Sequence, residues 1–534
     1  MAPVERRHRG AALGLAHLIT ASEMRRTVKN VWRLVRVTWI LGRYDALFLL
    51  KDAKIAPSVT WIAGLAPRRR GLGRKGERLA AALQVLGPSF IKFGQALSPR
   101  PDLIGEEVAG ELSELQDRLP PFSGKAARRI VERELNQPLD ALFTEFDIEP
   151  VAAASIAQVH LARTIEGDAV AVKILRPGIE DAFARDLELF YWLAVLSERA
   201  LPSWRRLKPV EVIRTFAESV AMEMDLRIEA AAASEIRENC DDDPMYCVPK
   251  VDWQRTSQRV LTLERVEGQS IDEREKLEEA GHDPREILRI TAGAFFRQVF
   301  RDGFFHADLH AGNLLVDTQG RVNAVDFGIM GRLDRDTRRY LAEMLLGFLL
   351  GNYERVAEVH FEAGYVPRHK SKAAFTQAIR SIGEPILGKP LHEISLGQLL
   401  GHLFKVTKTF EMETQPQLLL LQKTLLMAEG LCRRLNPDEN MWALAQPQIE
   451  RWARENLGPE ARLRDAAAES LAALRRVPRM LERAESALEN FENGVIPNTG
   501  AQQGAWRMGR LDGVHAALGL IAALLAALLI LQLT

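Results

Sequence analysis

A chain of 534 residues exceeds a single domain of roughly 100–200 residues. Its composition, 47% hydrophobic and 27% charged with 37 Gly and 25 Pro, excludes a disordered, collagenous or multi-span membrane protein. Lys plus Arg and Asp plus Glu are each 71, which disfavours a nucleic-acid binder driven by bulk positive charge. The charge is unevenly spread, with 16 Lys/Arg against 4 Asp/Glu in residues 1–75. Cys240, Cys247 and Cys432 are too few for a disulfide scaffold, which suits a reducing compartment, and their spacing matches no common zinc pattern.

Residues 1–76 read as a basic amphipathic arm and linker. The apolar stretch Gly10 to Ala21 follows Arg6, Arg7 and Arg9 but has no small-residue cleavage site after it, so it is not read as a signal peptide. Val28, Trp32, Val35 and Trp39 fall at helical spacing on one side, and Lys29, Arg33, Arg36 and Arg43 on another. That pattern suits either the headgroup boundary of an anionic membrane or a helix packed on the protein body. Pro57 to Gly76 reads as the linker.

Residues 77–145 form a helical extension, broken at Pro99–Pro101 and Pro120-Pro121. Ser155–Ala162 and Ala169–Leu175 read as strands around a Glu166-Gly167-Asp168 turn. Helices are expected at about 179–199 and 208–238, then a strand from Val260 to Val266, closing a lobe at 146–268. Residues 269–491 are mostly helical, interrupted by a His/Asp/Gly-rich loop and two short strands between 303 and 328. Residues 492–513 read as a tether, and 514–534 as a transmembrane anchor. The run from Ala516 to Leu533 contains one polar residue, Gln532; at about 1.5 Å per residue it spans roughly 27 Å. Arg507 and Arg510 precede it, which places the body in the cytoplasm.

The chemistry concentrates in three ordered segments. Val170-Ala171-Val172-Lys173 ends a strand; His306-Ala307-Asp308-Leu309-His310-Ala311-Gly312-Asn313 forms a loop; Asp326-Phe327-Gly328 follows. Together they match the parts of a protein-kinase-like phosphotransfer site. Lys173 would hold phosphates, Asp308 would take or orient the nucleophile's proton, and Asn313 with Asp326 would bind Mg²⁺. His306 and Asp308 with a further histidine also match a two-His-one-carboxylate iron site, a reading that leaves Lys173 and Asp326 without a role. The sequence departs from ordinary kinases in three ways. Ala152-Ala153-Ala154-Ser155-Ile156-Ala157-Gln158-Val159 stands where a Gly-rich loop would cover phosphates, and Cβ atoms restrict positive φ there. Ala307 replaces the arginine that commonly precedes the catalytic aspartate, and no Ala-Pro-Glu follows Asp326-Phe327-Gly328. A protein acceptor is therefore not expected.

These features, with Lys92-Phe93-Gly94-Gln95 upstream and Glu223-Met224-Asp225 followed by Glu229-Ala230, resemble the UbiB family of atypical kinase-like proteins in ubiquinone biosynthesis. The resemblance implies an α+β, bilobal protein-kinase-like fold with an N-terminal helical extension and a C-terminal transmembrane helix. It implies ATP and Mg²⁺ as cofactors, with atypical kinase or ATPase activity at the cell inner membrane. Implied partners are membrane lipids, quinone precursors and ubiquinone-biosynthesis enzymes, and a homodimer is allowed. Carried over by residue, Asp308 is the proton acceptor and Lys173 the nucleotide lysine. Ala152, Ala153, Ala154, Ser155, Ile156, Ala157, Gln158 and Val159 form the phosphate loop. Asn313 and Asp326 are the metal ligands, and Lys92, Gly94 and Gln95 a regulatory extension over the site. Glu223 is the expected partner of Lys173, with Glu229 in reserve. Many bacterial relatives end in two membrane helices, whereas this chain shows one. Two further readings stay open, a non-catalytic nucleotide-binding scaffold and an antibiotic-type small-molecule phosphotransferase.

Overall fold

The computed structural model describes residues 21–48, 66–67, 73–98, 104–113, 119–200, 208–384, 406, 409–412, 415–436 and 441–457. All of these belong to one compact unit, Met1–Gly458. The second unit, Pro459–Thr534, with the end of the expected 269–491 lobe, the tether and the anchor, lies outside the described residues, as does most of the 57–76 linker. Among the described residues no helix is long and apolar enough to cross a membrane.

The N-terminal lobe is a five-stranded antiparallel sheet in the order β1-β3-β4-β6, with β2 added to β3. Its strands are β1 (Phe143–Phe146), β2 (Ala152–Ala153), β3 (Ala157–Thr164), β4 (Ala169–Leu175) and β6 (Val260–Glu264). Alternation along β4 divides its labour. Val170, Val172 and Ile174 bury themselves with Ala127, Ile130 and Val131 of the Gly124–Leu135 helix, while Lys173 belongs to the opposite face. The β3–β4 turn uses Gly167 at φ 98°, a left-handed conformation that glycine adopts without a Cβ penalty.

Ile179–Ala200, Pro209–Glu223 and Leu226–Asn239 follow β4. The sequence suggested one helix over 208–238; the structure breaks it at Met224, and Asp225 caps the new helix by accepting from the Arg227 N–H at 3.1 Å. The Pro88–Leu97 helix docks on this insertion through aromatic contacts. Phe93 stacks on Phe190 at 4.8 Å and meets Phe216 edge-on at 5.3 Å, while Phe90 meets Phe190 edge-on at 5.0 Å.

The C-terminal lobe is built on Pro284–Arg297, which runs into a single π turn, Gln298–Asp302. Two small sheets present the loop-borne chemistry, one ordered β5-β10-β9-β7 and the other pairing β11 with β8. Here β5 is Tyr246–Cys247, β7 Gln269–Ser270, β8 Phe304–His306, β9 Leu314–Val316, β10 Val322–Ala324 and β11 Met330–Arg332. Helices Arg335–Leu349, Tyr353–Glu362, Lys372–Gly383, Pro416–Leu435 and Met441–Leu457 complete the lobe. Pro416–Leu435 buries Leu421, Thr424, Ala428, Leu431, Cys432 and Leu435, a helical stripe that fixes its rotation.

At the N-terminus, Ala21–Arg43 is helical, but the tryptophan face does not meet the body. Asn30 and Thr38 are buried, and Arg33 pairs with Asp186 and the Arg185 carbonyl. Val31, Trp32, Val35 and Trp39 remain exposed, Trp32 at 69%.

Candidate functional site

β4 carries Lys173 into the space between the lobes, where its ammonium meets two carboxylates. Lys173 Nζ donates to Glu229 Oε1 at 2.7 Å and lies 3.3 Å from Asp326 Oδ1. Glu229, one turn into the Leu226–Asn239 helix, is therefore the partner of Lys173. The expectation for Glu223 is corrected. The chain break at Met224–Asp225 leaves Glu223 at the end of the preceding helix, where its Oε2 pairs with Lys92 Nζ at 2.9 Å. Lys92 is itself buried, so the Lys-x-Gly-Gln helix is tied to the insertion by an ion pair beside its aromatic contacts. Gly94 is also buried in that helix, and the Gln95 carbonyl accepts from Ser98 Oγ at 2.9 Å.

One ammonium, with three donors, serves both carboxylates, and their different surroundings push the two in opposite directions. Burial would raise Asp326, but the Lys173 charge, the Gly328 N–H at 3.0 Å, His306 and Lys92 outweigh it and hold Asp326 well below the usual carboxylate range. Asp326 is still 42% accessible, so its ion-pair geometry rather than depth sets that direction. For Glu229, only 7% exposed, burial comes first, and with repulsion from Asp326 it outweighs Lys173 and raises the carboxyl. Burial opposes the charge on Lys173, but Asp326 and Glu229 more than compensate and raise its pKa.

The segment expected to be the catalytic loop begins where β8 ends at His306. The Asp308 N–H donates to His306 Nδ1 at 3.1 Å, and the His306 ring packs against Phe327, with centroids 5.7 Å apart. Burial lowers the His306 pKa, favouring the neutral ring that can accept this bond. Asn313 Nδ2 donates to the Asp308 carbonyl at 3.1 Å, and the Val325 N–H donates to the Asn313 carbonyl at 3.0 Å. The asparagine is thus fixed beside both Asp308 and the Asp326 segment. His310 caps the following turn through Nδ1, accepting from the Gly312 N–H at 3.1 Å.

The Ala-rich segment forms a hairpin rather than an open loop. Ala152 and Ala153 pair with Val159 and Gln158, and the Ala154 N–H donates to the Ala157 carbonyl at 2.8 Å. Arg176 donates to the Ala154 carbonyl through Nη2 at 2.8 Å and to the Pro120 carbonyl at 2.9 Å, which ties the tip to the extension. Ser155, Ile156, Ala157 and Gln158 are buried. The side chain of Gln158 turns to the extension: it accepts from the Phe122 N–H at 2.9 Å and donates to the Phe122 carbonyl at 3.2 Å. Its amide nitrogen also lies 2.8 Å from His160 Nε2, which assigns the histidine proton to Nδ1, facing the Asp147 carbonyl at 2.7 Å.

One residue at the site was absent from the sequence reading. Lys423 Nζ, from Pro416–Leu435, donates to Asp308 Oδ1 at 2.9 Å. The only signal for it was an isolated lysine within the otherwise largely apolar run Leu418–Ala428.

Among the described residues no group of three or more His, Cys, Asp or Glu could hold a metal ion. That disfavours the two-His-one-carboxylate iron reading. Asn313 and Asp326 instead supply hard oxygen donors, the set that fits Mg²⁺ when phosphate oxygens and water complete its shell.

Comparison with known proteins places this geometry. An ABC1 atypical kinase-like domain matches residues 114–360 and a UbiB helical domain matches residues 379–440. A probable protein kinase UbiB from Marinobacter nauticus is 44% identical over 435 residues, 80% of this chain and 79% of that protein. One from Pseudomonas paraeruginosa is 40% identical over 499 residues, 92% of each chain. The solved complex of Mycobacterium tuberculosis Rv3197 with erythromycin aligns at TM-score 0.46 and 25% identity, covering 69% of this chain and 95% of that one. A kinase-like domain implies nucleotide binding.

Proposed function

The chain belongs to the UbiB family of ABC1 atypical kinase-like proteins, and from that premise we propose that it is a membrane-anchored kinase or ATPase supporting ubiquinone biosynthesis. It binds ATP with Mg²⁺ and acts on lipophilic quinone precursors or on the biosynthetic complex. The observation that carries this reading is the convergence of Lys173 with Glu229 and Asp326, with Asp308 and Asn313 bonded to each other beside Asp326. Lys173 orients nucleotide phosphates, Glu229 fixes Lys173, and Asp326 with Asn313 would hold the metal. The Asp308 carboxylate receives the acceptor's proton. Mg²⁺, when bound, neutralises charge building on the transferring phosphoryl group. The relatives bear the name probable protein kinase, but the missing Ala-Pro-Glu segment argues for water or a small molecule as acceptor.

The exposed Val31, Trp32, Val35 and Trp39, flanked by exposed Lys29, Arg36 and Arg43, support contact with an anionic lipid surface. In anionic vesicles, quenching of tryptophan emission by brominated lipid should fall in the Trp32→Ser/Trp39→Ser variant; unchanged quenching would count against this placement. The anchor proposed for 514–534 places the protein at the inner membrane with its kinase-like domain in the cytoplasm.

A second reading, a nucleotide-binding scaffold without turnover, draws on the Ala154 tip being tied down by Arg176. Asp308→Asn separates the two. Under the enzymatic reading it fails to restore quinone production in a deficient strain; restoration to wild-type levels would favour the scaffold.

A further inference from the structure

Phosphoryl transfer concentrates negative charge on the migrating group, and metal ligands alone leave part of it uncompensated. The segment 306–313 contains neither lysine nor arginine. Of the other site lysines, Lys92 pairs with Glu223, and Lys173, held by Glu229 and Asp326, serves the nucleotide phosphates from the N-terminal lobe. The cation next to the proton acceptor comes from 115 residues downstream: Lys423, whose ammonium donates to Asp308 Oδ1 at 2.9 Å. Its placement is built into the fold. Thr424 beside it is fully buried and donates to the Leu420 carbonyl at 2.8 Å, while Leu421 and Ala428 anchor the same helix in the core. Lys423 itself is 18% exposed and faces Asp308, which is 22% exposed. An ammonium seated on Oδ1 leaves Oδ2, with His310 Nε2 at 3.7 Å, open to an acceptor hydroxyl but lowers the basicity of the whole carboxylate.

Resting on the phosphotransfer reading above, we propose that Lys423 is a catalytic residue that leaves Asp308 for the γ-phosphate when nucleotide binds. The helical domain thereby supplies the cation missing from the catalytic loop. In the step it serves, the bond between the γ-phosphorus and the bridging β-oxygen breaks and its electron pair leaves on ADP. The new bond forms to the oxygen of water or an acceptor alcohol, whose proton passes to the Asp308 carboxylate freed by Lys423. The triphosphate recruits the ammonium, so Asp308 gains its full basicity when there is a phosphoryl group to transfer.

The test uses the full chain and three proteins, wild type, Lys423→Met and Lys423→Arg, with thermal melts to establish that each is folded. Affinities for Mg²⁺ with ADP and with a non-hydrolysable ATP analogue are measured by calorimetry, alongside the rate of phosphate release. Wild type should prefer the triphosphate. The methionine variant should lose most of that preference, keep its ADP affinity within about threefold, and lose about 100-fold in kcat, the scale of a lost transition-state donor. The arginine variant should recover part of both. An unchanged triphosphate preference in the methionine variant overturns the proposal even if kcat falls, since the lysine would then act only through Asp308. Failure of the proposal alone leaves wild-type nucleotide binding intact, whereas wild type that binds no Mg²⁺–nucleotide overturns the phosphotransfer reading as well.

Discussion

Replacing Glu229 with Gln should damage nucleotide binding, and the same change at Glu223 should not. Glu229 lies 2.7 Å from Lys173 and is 7% exposed, so it belongs to the class of buried pairs whose disruption costs about 3–5 kcal/mol when a charge is left bare. Here Lys173 keeps Asp326 at 3.3 Å, so the ammonium is not abandoned. What is lost is closer to one charge-assisted hydrogen bond, about 1.5–3 kcal/mol, and a glutamine oxygen can still accept from the ammonium. The raised pKa of Glu229 means that its ionisation already costs free energy, which a neutral amide avoids. Global stability should therefore drop by only about 1–2 kcal/mol. The functional effect is larger in kind. With Glu229 neutral, Lys173 is drawn onto Asp326 and competes with the metal, weakening Mg²⁺–nucleotide binding by about tenfold, or 1.4 kcal/mol. Glu223→Gln breaks the Lys92 pair outside this trio and should leave nucleotide affinity within about threefold. Calorimetric titration of both variants, with urea melts for stability, decides the matter. Equal losses at the two positions, or no loss at Glu229, would mean that Glu229 has no special hold on Lys173.

Further outcomes follow from the packing and the titrating groups. A Cβ added at Gly331 of β11 would overlap the fully buried Phe305 ring on β8, so Gly331→Ala should lower stability by about 1–3 kcal/mol in urea denaturation; a neutral effect would contradict this packing. His160, His306 and His360 are buried and their pKa values are lowered chiefly by burial. The unfolded chain then binds more protons than the folded one, so stability rises with pH through this window. It should be lost as pH falls below about 6.5, by up to about 1.4 kcal/mol per pH unit for each histidine. A Tm that stays flat from pH 7.5 to 5.5 would contradict it. Arg176→Ala should free the Ala154 hairpin tip, read as faster amide exchange at residues 154–157, and unchanged exchange would show that Arg176 does not restrain it.

Much of the site was legible because its chemistry is local in sequence. The alternation Val170-Ala171-Val172-Lys173 already places the lysine on the face opposite the apolar residues, and Asn313 stands five residues after Asp308 on one loop. What failed to read through depends on longer range. Glu223 and Glu229 are both acidic residues in a helical pattern, and only the break at Met224–Asp225 sends one to Lys92 and the other to Lys173. Gln158 lies in the expected phosphate loop, yet its amide is spent on the Phe122 backbone, a contact no strand pattern encodes. Lys423 carries no motif, and its meaning comes from the tertiary packing that rotates Thr424 inward and the lysine toward Asp308. The short strands β2, β5 and β7 escaped because two residues offer no periodicity to read.

The most direct test of the whole account is a titration of the full chain with ATP in the presence and absence of Mg²⁺, repeated for Lys173→Ala and Asp326→Asn. Wild type should show one metal-dependent site that is lost in both variants while their thermal melts remain cooperative. Wild type that takes up no nucleotide, or variants that bind as tightly as wild type, would contradict it.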